Sequence, residues 1–357
     1  MLNFAVGPVM SNEEVLKVGG EQVPYFRTEE FSKVMKENEQ YFLKYLHAPK
    51  DAKAVFMTGS GTASMEACVV NTLSYKDKVL VVNGGSFGHR FVEIVETFGI
   101  PYEPINLEFG KTLTKEDLLP FENKGFTAFL VNLHETSTGV LYHLDLISDF
   151  CKRNNLFLIV DCISCFLTDP IDMEKSGANM IITGSQKALG CAPGISLIAM
   201  NSRAIERIEK NENKVYYLSL KKALGDMERG QTPFTPAVSI LLQIHARFEQ
   251  IERDGGIVKE NERSAHLAKY FRDKIKDLPF EITSNSLSNA VTPLHPLNVN
   301  AYSIFMELKD HYGIWICPNG GELKDKIFRV GHMGNLQEKD YDTLVNALLD
   351  MQAKGLL

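Results

Sequence analysis

The sequence predicts an α/β protein with a large, mostly parallel β-sheet covered by helices, followed by a smaller C-terminal α+β domain. Between residues 53 and 200, short apolar runs rich in Val, Ile, Leu and Phe alternate with helix-like stretches. Such runs are typical of parallel strands that helices cover on both faces. After Gly255, a long charged helix precedes short strand-like runs and a final amphipathic helix over residues 338–353, which predicts a second, smaller unit.

The domain organisation follows from the chain length and from this change of pattern. A chain of 357 residues can form two domains. We expect a large domain over residues 1–250, with an N-terminal arm over residues 1–25, and a small domain over residues 251–357. Ligands bind open α/β sheets at the carboxyl ends of the strands, so the residues that follow each apolar run are the candidates for chemistry.

Composition excludes several classes of partner. The net charge of −7 and the scattered Lys and Arg residues offer no basic surface, so we do not expect nucleic acid to bind. No apolar run approaches the ~20 residues of a membrane helix, and the N-terminus lacks the pattern of a signal peptide. We therefore expect a cytoplasmic protein without a membrane partner. Cys162 and Cys165 form a CxxC without a second Cys or His pair, so we expect no metal site.

The first apolar run, KAVFM, leads into a segment of small residues, Gly59, Ser60, Gly61 and Thr62. Small residues ahead of a helix leave backbone amides free to bind a phosphate. The segment is not a P-loop, because it lacks the GK[ST] ending, and Ser64 replaces the third glycine of a dinucleotide fingerprint. An anion cradle and a plain turn both remain open.

The next two runs also end in polar or aromatic residues. KVLVVN leads to NGGSFGHR, in which Phe87 is able to stack on a flat heterocycle or to pack in the core. FTAFLVN leads to LHETSTGVL, in which the hydroxyls of Thr136, Ser137 and Thr138 either bind a ligand or cap the next helix. Neither segment decides between its two interpretations by itself.

The fourth and fifth runs bring a carboxylate and an amine to the same edge of the predicted sheet. LFLIVD ends in Asp161, whose apolar surroundings predict burial and a need for a cationic partner. Lys187 lies in a turn of small residues after NMIIT, where its amine can form a Schiff base. An electron-sink cofactor needs such a lysine, a carboxylate for its ring nitrogen, a phosphate cradle and a stacking ring. The co-occurrence of all four predicts pyridoxal phosphate (PLP).

Three segments resemble a known family. HETSTGVL, DCISCF and GSQKALGCAPGIS are similar to the class V PLP-dependent aminotransferases of fold type I, in the branch of alanine/serine–glyoxylate and 2-aminoethylphosphonate–pyruvate transaminases. The resemblance covers nearly the whole chain. It implies a seven-stranded, mostly parallel sheet in the large domain, PLP as cofactor, and a homodimer with shared active sites.

The resemblance also implies roles for individual residues. Lys187 resembles the Schiff-base lysine and proton shuttle, Asp161 the partner of the ring nitrogen, and Phe87 the stacking ring, where tryptophan or tyrosine is more usual. Thr136 corresponds to a residue on the ring-hydroxyl side, and Arg329 to the clamp for a substrate carboxylate. The remaining cofactor ligands implied are Ser60, Gly61, Thr62 and Gln186, and, toward the phosphate of the neighbouring subunit, Thr232 and Thr235.

The expected function is the transfer of an amino group from a small donor to pyruvate or glyoxylate by a ping-pong mechanism. The donor remains open between 2-aminoethylphosphonate and alanine or serine; Arg27, His89, Arg90 and Arg329 are the candidates for binding a phosphonate. A cysteine desulfurase or another class V lyase is an alternative, although Gln186 stands where desulfurases usually have histidine. A nonenzymatic PLP-binding regulatory protein is a further alternative, and a nicotinamide oxidoreductase lacks its glycine fingerprint here.

Overall fold

The computed structural model describes residues 2–212 and 214–357. Short 3₁₀ turns lie at Leu119–Phe121 and Gly321–Leu323. The α-helices, in chain order, are α1 Glu13–Gly19, α2 Glu29–Tyr45, α3 Gly61–Thr72, α4 Ser86–Thr97, α5 Lys115–Leu118, α6 Leu144–Arg153, α7 Met173–Ser176, α8 Ser202–Lys210, α9 Leu220–Met227, α10 Val238–Arg253, α11 Gly256–Lys274, α12 Ala301–Tyr312 and α13 Glu338–Ala353.

The strands alternate with these helices through most of the chain. In chain order they are β1 Leu2–Asn3, β2 Lys53–Thr58, β3 Val79–Asn83, β4 Tyr102–Asn106, β5 Ala128–Asn132, β6 His134–Glu135, β7 Val140–Leu141, β8 Phe157–Asp161, β9 Met180–Gly184, β10 Ile195–Met200, β11 Phe280–Ile282, β12 Val291–Pro296, β13 Ile314–Trp315, β14 Cys317–Pro318 and β15 Phe328–Gly331.

The large sheet contains seven strands in the order β2-β10-β9-β8-β5-β3-β4. Only β10 runs antiparallel to its neighbours, β2 and β9, whereas the remaining pairs are parallel. The predicted α/β fold with a mostly parallel seven-stranded sheet is therefore confirmed. In register, Asn132 lies opposite Asp161, and Asp161 lies opposite Ile182, so the ends of β5, β8 and β9 meet at one edge.

Burial along the strands explains why the sequence shows continuous apolar runs. Every residue of β5, β8, β9 and β10 is buried, because helices cover both faces of the sheet. The edge strand β4 is exposed at several positions and contains Pro104, which an edge strand tolerates because one side of its backbone needs no ladder partner. The run YEPIN lacks a continuous apolar pattern, so it is the least recognisable strand of the sheet.

A second, antiparallel sheet in the order β11-β12-β15-β14 forms the smaller unit. Its core is separate from that of the large sheet and includes Phe271, Ile304 and Leu344 from α11, α12 and α13. Phe4 of the N-terminal arm belongs to this smaller core, and β1 pairs in parallel with β13. The start of the N-terminal arm thus packs on the small unit, whereas Val9 and Val15 farther along the arm belong to the core of the large sheet. The division at residue 250 stays a prediction, and α10 runs on to Arg253.

No helix within residues 2–212 and 214–357 is long and apolar enough to span a bilayer. No group of three or more His, Cys, Asp or Glu side chains there is arranged to hold a metal ion. Cys162 and Cys165 are both buried and free.

Candidate active site

The candidate site lies at the carboxyl edge of the large sheet, where β5, β8 and β9 end. Asp161 is the last residue of β8, Thr136 follows β5, and Lys187 follows β9. The short hairpin of β6 and β7 projects from the end of β5 and carries the Thr136 segment. The parallel register brings these chain segments side by side, although they are far apart in sequence.

Lys187 is buried and its amine is held by the N-terminal arm. Its Nζ donates a hydrogen bond to the carbonyl oxygen of Val6 at 2.7 Å. Burial lowers the pKa of Lys187 to about 8; the charge of Arg329 acts in the same direction, whereas Cys317 and Asp161 oppose it. An amine with this pKa is partly unprotonated near neutral pH, which is the state that attacks an aldehyde or accepts a proton.

Gly7 explains how the arm approaches Lys187 so closely. Its φ is +134°, and a Cβ atom at this position would lie 2.7 Å from Cδ of Lys187. A residue with a side chain would therefore be strained in its backbone and would displace the lysine. Gly7 was not predicted from the sequence, because a glycine followed by Pro8 resembles an ordinary turn signal.

Asp161 is buried at the end of β8 and has one backbone donor. The amide of Ile163 donates to its Oδ1 at 2.7 Å. Burial raises the pKa of Asp161 to about 7, although the Ile163 amide and the charge of Lys187 oppose the shift. A cation placed against this carboxylate would reverse the shift, so the residue is suited to pair with a protonated ring nitrogen.

The start of α3 offers a place for a phosphate. Ser60 is the N-cap of this helix and its side chain makes no capping hydrogen bond, which leaves the first-turn amides at Gly61 and Thr62 available. A Cβ on Gly61 would lie 2.3 Å from Cδ1 of Ile163, so a larger residue there would displace the Ile163 side chain. The side-chain oxygen of Gln186 is buried and has no hydrogen-bond partner within the described chain.

Phe87 and Thr136 lie on the two segments next to these groups. Phe87 is in the first turn of α4, is half-buried, and lies outside the hydrophobic core of the large domain. The Arg90 guanidinium lies 4.8 Å from the centroid of the Phe87 ring. The Thr136 hydroxyl donates to Oγ of Ser164 at 2.7 Å, and the residues of its segment do not cap the next helix, whose N-cap is His143.

Arg329 connects the small unit to this edge of the large sheet. It is 8% exposed, its Nη1 donates to the carbonyl of Thr136 at 2.9 Å, and its Nη2 donates to the carbonyl of Pro318 at 2.9 Å. Its Nε is buried without a partner in the described chain. Cys317 lies opposite Arg329 in the ladder of β14 and β15, so the two side chains are neighbours.

Three predicted residues lie apart from this group within the chain. Thr232 and Thr235 are in the loop between α9 and α10, and Thr235 is exposed. The Thr232 hydroxyl donates to the carbonyl of Phe234 at 2.8 Å. Nη1 of Arg27 donates to Oε1 of Gln231 at 3.1 Å and to the carbonyl of Thr232 at 2.8 Å. Arg27 therefore holds this loop, and its hydrogen bonds do not reach Lys187.

Three further residues of the site escaped the sequence analysis. Glu135 is fully buried beside Thr136, Cys317 is next to Arg329, and His134 is buried so deeply that its pKa falls to about 3, which keeps its ring neutral. His134 and Glu135 could have been noticed as two titratable residues inside a segment that is otherwise buried. Nothing in the local sequence around Cys317 predicts its neighbours, because they come from other parts of the chain.

The residues fit PLP on structural grounds. The open start of α3 suits the phosphate end, and the buried Asp161 suits a ring nitrogen. The amine of Lys187 suits the aldehyde, and the unpaired Nε of Arg329 suits a substrate anion. These groups come from different strands that meet at one sheet edge.

Comparison with known proteins identifies the family of the chain. Residues 22–319 match the family described as aminotransferase class-V. The chain is 30% identical over 329 residues to the soluble hydrogenase 42 kDa subunit of Anabaena cylindrica, covering 90% of this chain and 85% of that protein. It is 28% identical over 359 residues to the alanine–glyoxylate aminotransferase of Oryctolagus cuniculus, and the match covers 96% of this chain and 91% of that protein.

A solved structure extends the comparison to the fold. The alanine–glyoxylate aminotransferase from Nostoc sp. matches with a TM-score of 0.91 at 25% identity, covering 98% of this chain and 95% of that one. The family match spans most of the chain and includes Lys187 and Asp161. The chain therefore belongs to the class V aminotransferases of fold type I, and it is a PLP-dependent transaminase.

Proposed function

We propose that this transaminase moves the amino group of a small α-amino acid, alanine or serine, to glyoxylate or pyruvate by a ping-pong mechanism. The observation that carries the proposal is the buried Arg329, whose unpaired Nε and planar guanidinium suit a carboxylate. Arg329 is near Lys187, because the N-terminal arm contacts both of their segments. The amide of Gly331, two residues after Arg329, donates to the carbonyl of Phe4, and the amine of Lys187 donates to the carbonyl of Val6. A substrate carboxylate at Arg329 would place its α carbon toward that amine.

The chain's own residues then have separate tasks. PLP, when bound, supplies the electron sink that makes removal of the α proton feasible. Lys187 accepts that proton at Nζ and returns it, a role that its lowered pKa favours. Asp161 would keep the ring nitrogen protonated, Phe87 would support the ring face, and Thr136 would lie on the ring-hydroxyl side. Ser60, Gly61 and Thr62 would bind the phosphate, and Gln186 would lie at the phosphate or beside the ring.

A phosphonate donor is the second candidate, and one observation favours it. Among the described residues, no carboxylate forms an ion pair with Arg90, whose guanidinium lies against Phe87. A free cation at the site suits the dianionic head of 2-aminoethylphosphonate, and His89 is exposed nearby on α4. The amino-acid donor is preferred because similar proteins are named alanine–glyoxylate aminotransferases.

We also infer a homodimer in which two subunits complete each site. The surface around Thr235 is rich in exposed aromatic side chains: Tyr25 is 70% exposed and Tyr216 is 72% exposed, and the rings of Tyr217 and Phe234 stack at 5.1 Å. Exposed aromatic surface of this kind is typical of a subunit interface. The residues that would face the partner's site are Arg27, Thr232 and Thr235. This assembly is expected in the cytoplasm.

A half-reaction tests the proposal directly. Purified protein with bound PLP receives L-alanine, L-serine or 2-aminoethylphosphonate separately, and the loss of the visible cofactor absorbance is followed. Conversion by alanine or serine alone supports the amino-acid donor, and conversion by 2-aminoethylphosphonate alone supports the second candidate. If none converts the cofactor, sulfide release from L-cysteine tests for a desulfurase. Bound PLP without any reaction is the result expected of a regulatory PLP-binding protein.

A further inference from the structure

The Glu135 carboxylate is buried without a cationic partner among the described residues and accepts hydrogen bonds from three chain segments. Its Oε2 accepts from the amides of Phe87 at 3.1 Å and Gly88 at 2.9 Å, and from Nδ2 of Asn132 at 3.0 Å. Its Oε1 accepts from the amide of Ser137 at 3.1 Å and from the Ser137 hydroxyl. A buried carboxylate is stable only when such donors compensate its lost hydration.

One end of this network is the start of the helix that carries Phe87. The N-cap of α4 is Gly85, which has no side chain to accept from the first-turn amides. Glu135 supplies that acceptor from another segment, and its negative charge lies at the positive end of the helix dipole. Gly85 leaves the space for it, because a Cβ atom there would lie 2.5 Å from Cδ of Glu135.

The other end of the network is the segment that carries Thr136. Glu135 precedes Thr136 directly, and its bonds to Ser137 hold the turn on the far side. The carbonyl of Thr136 accepts from Arg329, so the same segment also receives the guanidinium of the small unit. The Glu135 carboxylate thus contacts the segment of Phe87 and the segment of Thr136. Through the carbonyl of Thr136, it is also connected to Arg329.

We propose that Glu135 is a positioning residue of the active site, which holds the ring of Phe87 in a fixed place relative to Thr136. It acts through the backbone of both segments and does not itself need to touch the cofactor or the substrate. The proposal rests on the roles proposed above for Phe87 and Thr136. It differs from a purely structural role, because it predicts coupling to one particular side chain, Phe87.

The test is a double-mutant cycle on PLP binding. Glu135→Gln keeps the size of the side chain but removes its charge and turns one acceptor into a donor facing backbone amides. We expect the dissociation constant of PLP to rise about tenfold or more, because bonds to a charged acceptor are lost. Combined with Phe87→Leu, the same change should raise it less than about threefold, because the ring that Glu135 positions is already absent.

Asp169→Asn is the matched control. Asp169 is also buried and accepts from neutral donors, at 2.8 Å from the Ser288 hydroxyl and at 3.0 Å from the Asn289 amide. Its replacement should lower thermal stability to a similar degree and leave the visible circular dichroism of bound PLP unchanged. Glu135→Gln should reduce that signal, because the ring packs less firmly against the cofactor.

Two results would overturn the proposal. Equal effects of Glu135→Gln on PLP affinity in the wild-type protein and in the Phe87→Leu variant would show that the residue does not act through the ring. An unchanged circular dichroism signal of bound PLP in a folded Glu135→Gln variant would also show that Glu135 does not position the ring. PLP binding is measured without any amino donor, so failure of all donors in the half-reaction would refute the proposed substrate class and leave this test intact.

Discussion

The strand-end group around Lys187 and the loop of Thr232 and Thr235 are both proposed for the active site, yet their surroundings differ. Lys187, Asp161 and Arg329 are buried and bonded within one chain. The loop lies at an aromatic surface, and its Thr235 is exposed. The first group is assembled by the fold of a single subunit. Under the proposed dimer, the second would reach a site only in the partner subunit.

The largest expected effect tests whether the strand-end group alone performs the chemistry. Lys187→Ala removes both the amine that joins the aldehyde and the group that accepts the α proton. We expect turnover to fall roughly 10⁴-fold, and borohydride to trap no cofactor on the chain. Steady-state rates and mass spectrometry measure these outcomes. Lys175→Ala, at an exposed position, serves as the control, and sustained turnover by Lys187→Ala would refute the assignment.

Arg329 tests whether the substrate clamp belongs to the same group. Arg329→Ala should raise KM for the amino acid roughly 100-fold, because charged hydrogen bonds to the carboxylate are lost. In Arg329→Lys, KM should stay above the wild-type value but below that of Arg329→Ala, because a lysine keeps the charge and lacks the planar fork. Equal KM values for the Arg329→Lys variant and the wild type would show that the fork does not bind the carboxylate.

The exposed loop is tested by breaking the proposed interface. Tyr216→Glu places a charge in the aromatic surface, and we expect dissociation into monomers with about tenfold weaker PLP binding. Sedimentation and PLP titration measure both. Tyr75→Glu is a close control, because both tyrosines are more than 70% exposed and both have a lysine over the ring. A Tyr216→Glu dimer with normal PLP affinity would assign the interface elsewhere.

The smallest effect concerns the pH dependence of the protein without PLP. The pKa of Asp161 is raised from 3.8 to about 7, so its stabilising contribution is present below 3.8 and is lost as the pH rises through 7. The pKa of Lys187 is lowered from 10.5 to about 8, so its contribution is present above 10.5 and is lost as the pH falls through 8. For each residue, the free energy of unfolding changes by at most about 1.4 kcal/mol per pH unit.

Asp161→Asn isolates one of these contributions. In urea unfolding without PLP, the variant should lose the decrease in free energy of unfolding that the wild type shows between pH 3.8 and about 7. The rise between about 8 and 10.5, which comes from Lys187, should remain. An identical curve for the variant and the wild type would mean that burial does not perturb Asp161.

Much of the fold was predictable because apolar runs between helices determine a doubly covered sheet. The runs that become β5, β8, β9 and β10 are buried throughout, so their composition carries a clear signal. The edge strand YEPIN, half exposed and interrupted by proline, carries none, and the seventh strand followed only from the family resemblance. Asp161 and Lys187 were candidates because Asp161 ends such a run and Lys187 lies in the turn after another, and their roles stay predictions.

Other parts of the site depend on contacts between segments that are remote in sequence. The sequence determines that the chain is a PLP-dependent enzyme, because the chemistry requires a few residue types at the ends of particular strands. Only the tertiary structure places Val6 and Gly7 against Lys187, and the Glu135 carboxylate between Phe87 and Ser137. These contacts form when the arm and loops pack over the sheet edge. The local sequence predicts helices and strands, but it does not predict which distant segment packs against a given residue.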